Sequence, residues 1–378
     1  MSNSNTNATL DDLIIEAQRV LAICNACRYC EGYCPVFPAL ERRLAFDERD
    51  VHYLANLCHN CGACLYACQY APPHEFAVNF PRVLSAVRTQ TYAKYAWPRW
   101  LGAAFHRNGA ATAMAAVLGF AVCLLLVLAY ARDGRFFAAH MDRDGAFYAL
   151  IPHAAMAWTF GIAFAFAVVA CIVASRRFVI DPAKDHGHPS DGFRDAVRDG
   201  ASLKHLDGGG NGCTYPVERP SFARRRLHHL MFYGFLLCFA STLVASFDHY
   251  VLGLRAPYAF TSVPVVLGTL GGIALSIGSA GLLWLRWRRD RDLDTASESA
   301  LDIALLLLLF WTGVSGLALL ALRESRWMGM LLVLHLSAVM ALFITLPYGK
   351  LVHALYRMIA LVRFHRERRL PLPDIAPE

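Results

Sequence analysis

Eight of the twelve cysteines fall into two short runs near the amino terminus. Both runs have the spacing C-x2-C-x2-C-x3-C, and their members are Cys24, Cys27, Cys30 and Cys34, then Cys58, Cys61, Cys64 and Cys68. This spacing is typical of two 4Fe–4S clusters, where three close cysteines bind one cluster and the fourth reaches the other. It therefore predicts one cluster held by Cys24, Cys27, Cys30 and Cys68, and a second held by Cys58, Cys61, Cys64 and Cys34.

Short cysteine pairs also build disulfide frameworks and zinc sites. Neither requires two identical runs of four, and residues 1–23 lack the apolar core and cleavage site of a secretory signal. We therefore expect iron–sulfur clusters on the reducing, cytoplasmic side. No paired nucleophile and base, and no phosphate-binding loop, accompany the cysteines. The sequence thus favours the electron-transfer subunit of an oxidoreductase system over a stand-alone enzyme.

The segments that must position these cysteines have helical spacing. Thr9 followed by Asp11 predicts a capped helix that leads to the first run. Between the runs, residues 38–44 and 51–57 repeat apolar side chains at helical intervals and contain few strand formers. Residues 1–80 are therefore predicted to form a helical ferredoxin head rather than the small β-sheet type.

The composition indicates a membrane protein. Of 378 residues, 56% are hydrophobic and only 17% are charged, with a mean hydropathy of +0.37, which is too apolar for an ordinary soluble protein. The net charge is +7, but the basic residues flank apolar stretches, so they indicate topology and no nucleic-acid partner. After the head, residues 81–111 form an amphipathic, aromatic-rich connector, either on the membrane surface or as a surface helix of the head.

Six apolar stretches approach the roughly 20 residues needed to cross a bilayer. They lie at about 112–131, 151–175, 228–250, 262–285, 302–322 and 327–349. The sequence thus predicts an all-α protein with a six-helix transmembrane bundle over 112–349. Basic residues concentrate in loop 176–227, after the fourth stretch, and in tail 350–378. The head, both termini and these connections should therefore face the cytoplasm from a bacterial-type inner membrane.

The loop 176–227 contains a glycine-rich segment at 207–216. Its glycines do not follow a strand and open a helix, so we reject a nucleotide-binding interpretation. Two alternatives remain open, namely a compact turn packed near the head or a cofactor, and a flexible linker.

Histidines within the membrane spans are candidate functional residues, because burying an ionisable side chain in the bilayer is energetically costly. His335 and His353 are 18 residues apart, which is five helical turns and about 27 Å on one face. His228 and His249 are 21 residues apart, which places them within about 60° of the same helix face and about 31 Å apart along the helix. Antiparallel packing would pair His228 with His353 near the cytoplasm and His249 with His335 near the outer side. One or two b-type haems between two helices would use this arrangement.

Other interpretations of these histidines stay open. Pro347 lies between His335 and His353, where it can kink the helix and break the phase. His153 is a rival ligand on the outer side. His59, inside the second cysteine run, is expected to support the site or to be exposed rather than to bind metal.

Together these features resemble the tricarballylate or citrate utilisation protein B family. The likeness rests on both cysteine runs, on the continuation from Gln69 to Asn79, on residues 208–216, and on the stretch from Arg224 to Phe235. Gln69 departs from the proline that often follows the fourth cysteine. The membrane half is also similar to the cytochrome b subunit of respiratory nitrate reductases, which holds two haems on antiparallel helices.

The resemblance implies a membrane-bound iron–sulfur partner of a flavin-dependent tricarballylate dehydrogenase. Such a protein reoxidises the flavin and passes electrons to the membrane quinone, while its spans contact membrane lipid. A competing hypothesis is a haem-free membrane anchor and iron–sulfur docking subunit that delivers electrons directly to quinone. A transporter with a regulatory head is disfavoured, since Asp248 and Asp302 are almost the only acidic residues of the spans.

Overall fold

The computed structural model describes residues 10–107, 110–131, 135–139, 146–180, 192–293 and 295–371. Thr9 and the remainder of residues 1–9 in the predicted head, 181–191 in the predicted loop and 372–378 in the predicted tail lie outside them. Within the described residues, regular structure is helical apart from a single two-stranded hairpin. The predicted fold class, an all-α head with a six-helix bundle, is confirmed.

Five helices form the amino-terminal unit, called the head below (residues 10–95). They are α1 (Leu10–Cys27), α2 (Val36–Leu40), α3 (Glu48–Leu57), α4 (Ala63–Tyr66) and α5 (Phe80–Tyr95). Asp47 caps α3, because its side chain accepts a hydrogen bond from the Asp50 backbone N–H at 2.8 Å. Leu21, Leu54 and Leu84 from three of these helices meet in one fully buried core. This core fixes the ends of α1 and α3, from which the cysteines project.

The predicted connector divides into α5 and α6 (Arg99–Arg107). Helix α5 buries Leu84, Val87 and Tyr92 and packs against α1 and α3, so it is part of the head core. In α6, Trp100 is exposed. Of the two alternatives for this segment, α5 matches the helix of the head. It lies in the core of the head, however, and not on its surface.

In the part of the chain that the structure describes, six further helices are long and apolar enough to cross a membrane. They are α7 (Ala110–Tyr130), α8 (His153–Ile180), α10 (Ala223–Tyr250), α11 (Val263–Trp287), α12 (Ala296–Ala321) and α13 (Met328–Thr345), while the short α9 (Phe193–Ala201) lies between α8 and α10. Large apolar side chains such as Leu125, Ile162 and Leu243 are more than half exposed, as lipid contact requires. The chain is a multi-pass membrane protein, with one end of the bundle against the head (the head side) and a far side opposite.

The sixth span differs from its prediction. Helix α13 ends at Thr345, a 3-10 turn covers Lys350–Val352, and a separate helix α14 spans His353–Glu367. Pro347 lies in the break, where it has no N–H to donate to a continuing helix. The prediction of one helix carrying His335 and His353 in phase is therefore wrong, and the sixth span ends at Thr345 rather than near 349.

Helix α14 returns to the head instead of trailing away as a tail. Arg43 donates to the Glu367 carboxylate at 2.5 Å, and Arg363 donates to Asp50 at 3.1 Å. The Tyr53 hydroxyl also donates to Glu367, at 3.2 Å. These contacts join α14 to α3, and to Arg43 just before it, across more than 300 residues of sequence.

A buried charge network joins the head to the membrane bundle. Arg88 of α5 donates to Glu298 of α12 at 2.6 Å, and both side chains are at most 4% exposed. Lys350 donates to Glu298 at 2.7 Å and to Asp302 at 3.0 Å. Burying single charges is expensive, but each of these charges has a partner of opposite sign. The network therefore fixes where the head sits on the bundle.

Candidate redox site

Helix α1 presents the first cysteine run. Cys24 and Cys27 lie on its last turn, and Cys30 lies in the turn after it. Cys68, which follows α4, lines the same small cavity as these three cysteines, and so does Cys64, which is predicted for the second cluster. The structure thus gathers the four residues predicted to hold the first cluster, although Cys68 belongs to the other run.

The second run occupies the junction of α3 and α4. Cys58 caps the end of α3, while Cys61 precedes α4 and Cys64 lies within it. Cys34 lies close enough to Cys58 and Cys61 for their sulfur charges to raise its pKa further, after burial, which is the larger cause. The same effect relates Cys64 to Cys34. The four residues predicted for the second cluster are therefore neighbours as well.

The chemistry of these two sulfur groups fits iron–sulfur clusters. All twelve cysteines lie within described residues, and none forms a disulfide. Burial, and then the nearby Cys68 sulfur, raise the pKa of Cys24 and of Cys30 to about 12. Converging thiolates would repel one another at such sites unless metal supplied positive charge. Backbone N–H groups already point at sulfur, since the N–H of Asn60 donates to Cys58 Sγ at 3.4 Å.

The glycine-rich segment packs on both cysteine runs. It is therefore not a flexible linker. Strand β1 (Cys213–Thr214) pairs antiparallel with β2 (Pro220–Ser221). A Cβ on Gly209 would lie 2.8 Å from the Gly32 carbonyl oxygen, so the segment touches the first run. The fully buried Cys213 packs in the same core cluster as Cys61 of the second run. Of the two alternatives kept open, the structure shows the compact turn.

Gly62 provides a direct test of this packing. Its φ of +82° favours glycine, and a Cβ there would lie 2.5 Å from the Thr214 carbonyl oxygen. Gly62→Ala should cost about 1–3 kcal/mol of backbone strain and displace Cys61 or the loop. We expect iron bound by the second run to fall while the first run keeps its iron, as measured by iron analysis and electron paramagnetic resonance. Gly32→Ala is the matched control, because nothing lies within 4 Å of its Cβ position, and equal iron loss in both variants would contradict this account.

The structure brings together the predicted head-side histidines. The ring centres of His228 and His353 are 6.4 Å apart. Metal–imidazole bonds of about 2.0–2.1 Å place two opposed rings about 6 Å apart, so the spacing suits one metal between them. His353 Nδ1 lies 2.6 Å from the Lys350 carbonyl oxygen; as the donor in that bond it would leave Nε2 free as a ligand. His228 Nδ1 is buried and has no hydrogen-bond partner among the residues that the structure describes.

Both histidines line a cavity of about 290 Å³ between the head and the membrane bundle. Its head wall includes His59 and Asn60 of the second cysteine run, while Met231 and Leu305 belong to its membrane wall. Burial, and then Arg357, hold the pKa of His59 well below its usual range, so His59 is neutral. His59 thus links the cavity to the cysteines without being one of the sulfur ligands.

The far-side histidines are arranged differently from the prediction. His249 stacks on His153, with ring centres 3.7 Å apart and planes inclined by 22°. His335 instead lies beside Ser315, whose hydroxyl is 3.2 Å from His335 Nδ1. Among the described residues, no ring contact or hydrogen bond joins His249 to His335. Stacked rings cannot face one metal from opposite sides, so the structure offers no far-side counterpart of the His228 and His353 pair.

Three arginines surround the second cysteine run. In the sequence, two of them indicated only topology and the third carried no signal. Arg88 and Arg357 each donate to the Cys58 carbonyl oxygen at 2.6 Å, and Arg224 donates to the Asn60 carbonyl oxygen at 2.7 Å. Burial, followed by the charge of Arg88, lowers the pKa of Arg357 to about 10, so it remains cationic near neutral pH. Their positions depend on contacts between distant segments, which no local spacing could reveal.

A second set of polar residues also escaped sequence reasoning. Asp199 lies between His205 and His365, with both Nε2 atoms 2.9 Å from its Oδ2. The three groups are close enough to hold a metal ion. However, Lys204 Nζ lies 3.6 Å from the other carboxylate oxygen and opposes a further cation. The arrangement accounts well for the attachment of α9 to α14.

Comparisons with known proteins agree with the resemblance drawn from the sequence. A family model described as Citrate utilization protein B matches residues 106–374, and one described as Citrate utilization protein B Fer4-like domain matches residues 17–94, which include both cysteine runs. Citrate utilization protein B of Escherichia coli is 46% identical over 371 residues, covering 95% of this chain and 97% of that protein. No solved structure matches. The chain belongs to the citrate utilization protein B family.

Proposed function

We propose that this protein is the membrane-bound electron-transfer subunit for oxidation of citrate, tricarballylate or a related tricarboxylate. It takes electrons from the reduced flavin of a soluble dehydrogenase, such as a tricarballylate dehydrogenase, and delivers them to membrane quinone. The proposal includes two 4Fe–4S clusters in the head and one haem b at the head side of the bundle. The family's Fer4-like domain and the relative named for citrate utilization support it.

The cysteines would hold the two clusters in the crossed arrangement, with Cys68 completing the first set and Cys34 the second. Each 4Fe–4S cluster carries one electron at a time, which divides the two-electron chemistry of a flavin into single steps. The protein contributes sulfur ligands, burial and hydrogen-bond donors at these positions. A cavity of roughly 30 Å³ at the first set is lined by Tyr29 and Gln69 as well as by cysteines, and Tyr29 is exposed. Electrons would therefore enter at this set.

One observation carries the connection to the membrane. The cavity that contains His228 and His353 also touches His59 and Asn60, so an electron acceptor bound there would adjoin the second cysteine run. His228 and His353 have the separation expected for opposed ligands of a haem iron. Arg224 and Arg357 line the same cavity and can pair with the carboxylates of a haem.

The distribution of basic residues supports the proposed orientation. Arg224, Arg286 and Lys350 lie on the head side of the bundle, near the boundary of their spans. Short loops that carry Lys and Arg stay on the cytoplasmic side of the membrane. The head, both termini and the flavoprotein partner would thus be cytoplasmic, at an inner membrane of bacterial type.

The decisive experiment combines spectra with electron transfer. Purified protein should contain about eight iron atoms in clusters and, after dithionite reduction, show b-type α-band absorption. In liposomes, addition of the reduced flavoprotein should reduce a quinone analogue. Cluster iron without quinone reduction would contradict the proposed function.

Substitution of the head-side histidines tests the haem. His353→Ala should abolish b-type absorption, since one axial ligand is lost, while iron in the cysteine sites stays unchanged. His335→Ala is the control, because His335 hydrogen-bonds Ser315 and faces no partner histidine among the described residues. Haem loss in His335→Ala with retention in His353→Ala would reject the head-side assignment. The measurement is a reduced-minus-oxidised spectrum of each purified variant.

A haem-free anchor is the second candidate. It is favoured by the direct contact of the cavity with the second cysteine run, which would let a quinone occupy the cavity itself. Quinone reduction by protein that lacks b-type absorption would establish this alternative.

A further inference from the structure

Cys213 is a ninth cysteine beside the two runs. Its side chain is fully buried in the same core cluster as Cys61, and the two sulfurs lie close enough to interact. The backbone holds this contact from both sides, since Thr214 pairs with Pro220 while its carbonyl oxygen lies against Gly62. The loop is therefore built to place one sulfur against one predicted cluster ligand.

The direction of a hydrogen bond between these two sulfurs follows from the ligation proposed above. A cysteine bound to iron carries no proton, so Cys61 can only accept, and Cys213 must donate its S–H. Hydrogen bonds to cluster sulfurs stabilise the reduced, more negative form and so raise the reduction potential. A donor at this position acts on the second cluster alone.

The charges around the two cysteine sets also favour a higher reduction potential at the second set. Arg88, Arg224 and Arg357 donate to carbonyl oxygens of the second run and add positive charge near it. Among the described residues, the first run receives one such bond, from the exposed Arg28 to the Asn25 carbonyl oxygen at 3.0 Å, and none of the residues that line its cavity is basic. Charge and hydrogen bonding therefore both favour the reduced state at the second set.

We propose that Cys213 is a tuning residue: its S–H donates to the Cys61 ligand sulfur and keeps the second cluster at a higher reduction potential than the first. One electron then moves favourably from the first cluster to the second, at the membrane side, and the transfer requires no proton or co-reactant. This inference rests on the proposed function.

The test is a redox titration of full-length purified protein followed by electron paramagnetic resonance. In Cys213→Ala, the potential of the second cluster should shift to lower values while that of the first stays constant. Cys213→Ser should retain part of the wild-type value, because serine keeps an O–H donor. Cys123→Ala is the matched control, since Cys123 is equally buried but lies in α7.

The possible failures can be told apart by iron content. Wild-type protein without a second cluster would refute the proposed function itself. Cys213→Ala with both clusters present and unchanged potentials would refute only the tuning role. Loss of the second cluster in both Cys213 variants would overturn it too, because Cys213 would then be needed for assembly.

Discussion

Cys68→Ser should remove the cluster held by Cys24, Cys27 and Cys30, not the cluster of its own sequence neighbours. Cys68 lines the cavity of the first set. Burial, and then the charge of the Cys68 sulfur, raise the pKa of Cys24 and of Cys30. Serine is a poor substitute for a thiolate ligand, so about half of the cluster iron should be lost. Iron analysis and paramagnetic resonance of the purified variant measure this directly.

Cys34→Ser is the reciprocal control, since Cys34 lies beside Cys58 and Cys61. It should remove the signal that survives in Cys68→Ser. If each variant instead lost the cluster of its own run, the crossed ligation would be wrong. Identical spectra in the two variants would show that one cluster depends on the other for assembly, which also contradicts independent sets.

Glu298→Gln should strongly destabilise the joint between head and membrane bundle. Glu298 is 2% exposed and accepts from Arg88 at 2.6 Å and from Lys350 at 2.7 Å. Loss of its charge leaves two buried cations with reduced compensation, which typically costs about 3–5 kcal/mol. Thermal unfolding in detergent, followed by circular dichroism, should show a markedly lower midpoint.

Glu48→Gln is a matched control for this loss of charge. Glu48 pairs with Lys94 at 2.8 Å, but its side chain is 46% exposed, so solvent screens the pair and the cost should stay below about 1 kcal/mol. A double variant, Arg88→Met with Glu298→Leu, should recover part of the loss, since no unpaired partner of that bridge remains. Equal midpoints for Glu298→Gln and Glu48→Gln would refute a stabilising role for the buried network.

The features predicted well from the sequence are those with a local period. Cysteine spacing predicted neighbouring sulfurs, and the structure brings Cys68 close to Cys24 and Cys30, and Cys34 close to Cys58. The crossed cluster ligation itself stays a prediction. Stretches of about 20 apolar residues predicted the six spans, with ends that shift by up to six residues. Period and composition depend only on neighbouring residues, so they can be read without knowledge of tertiary packing.

The features missed depend on contacts between distant segments. Pro347 ended α13, and this changed the relation of His335 to His353 that helical phase had predicted. The pairing of His228 with His353 nevertheless holds, because it requires only that antiparallel spans meet at the head side. Cys213 and Arg88 carry no local signal, since their partners Cys61 and Glu298 are more than 100 residues away.

The return of α14 to the head has a consequence for biogenesis. Glu367 and Arg363 complete contacts of α3 only after all six spans have been synthesised and inserted. At about 5–20 residues per second, the nascent amino-terminal segment would wait on the order of tens of seconds for these partners. Iron loaded during translation would therefore meet a head that still lacks its α14 contacts, whereas iron loaded after translation would meet the completed unit.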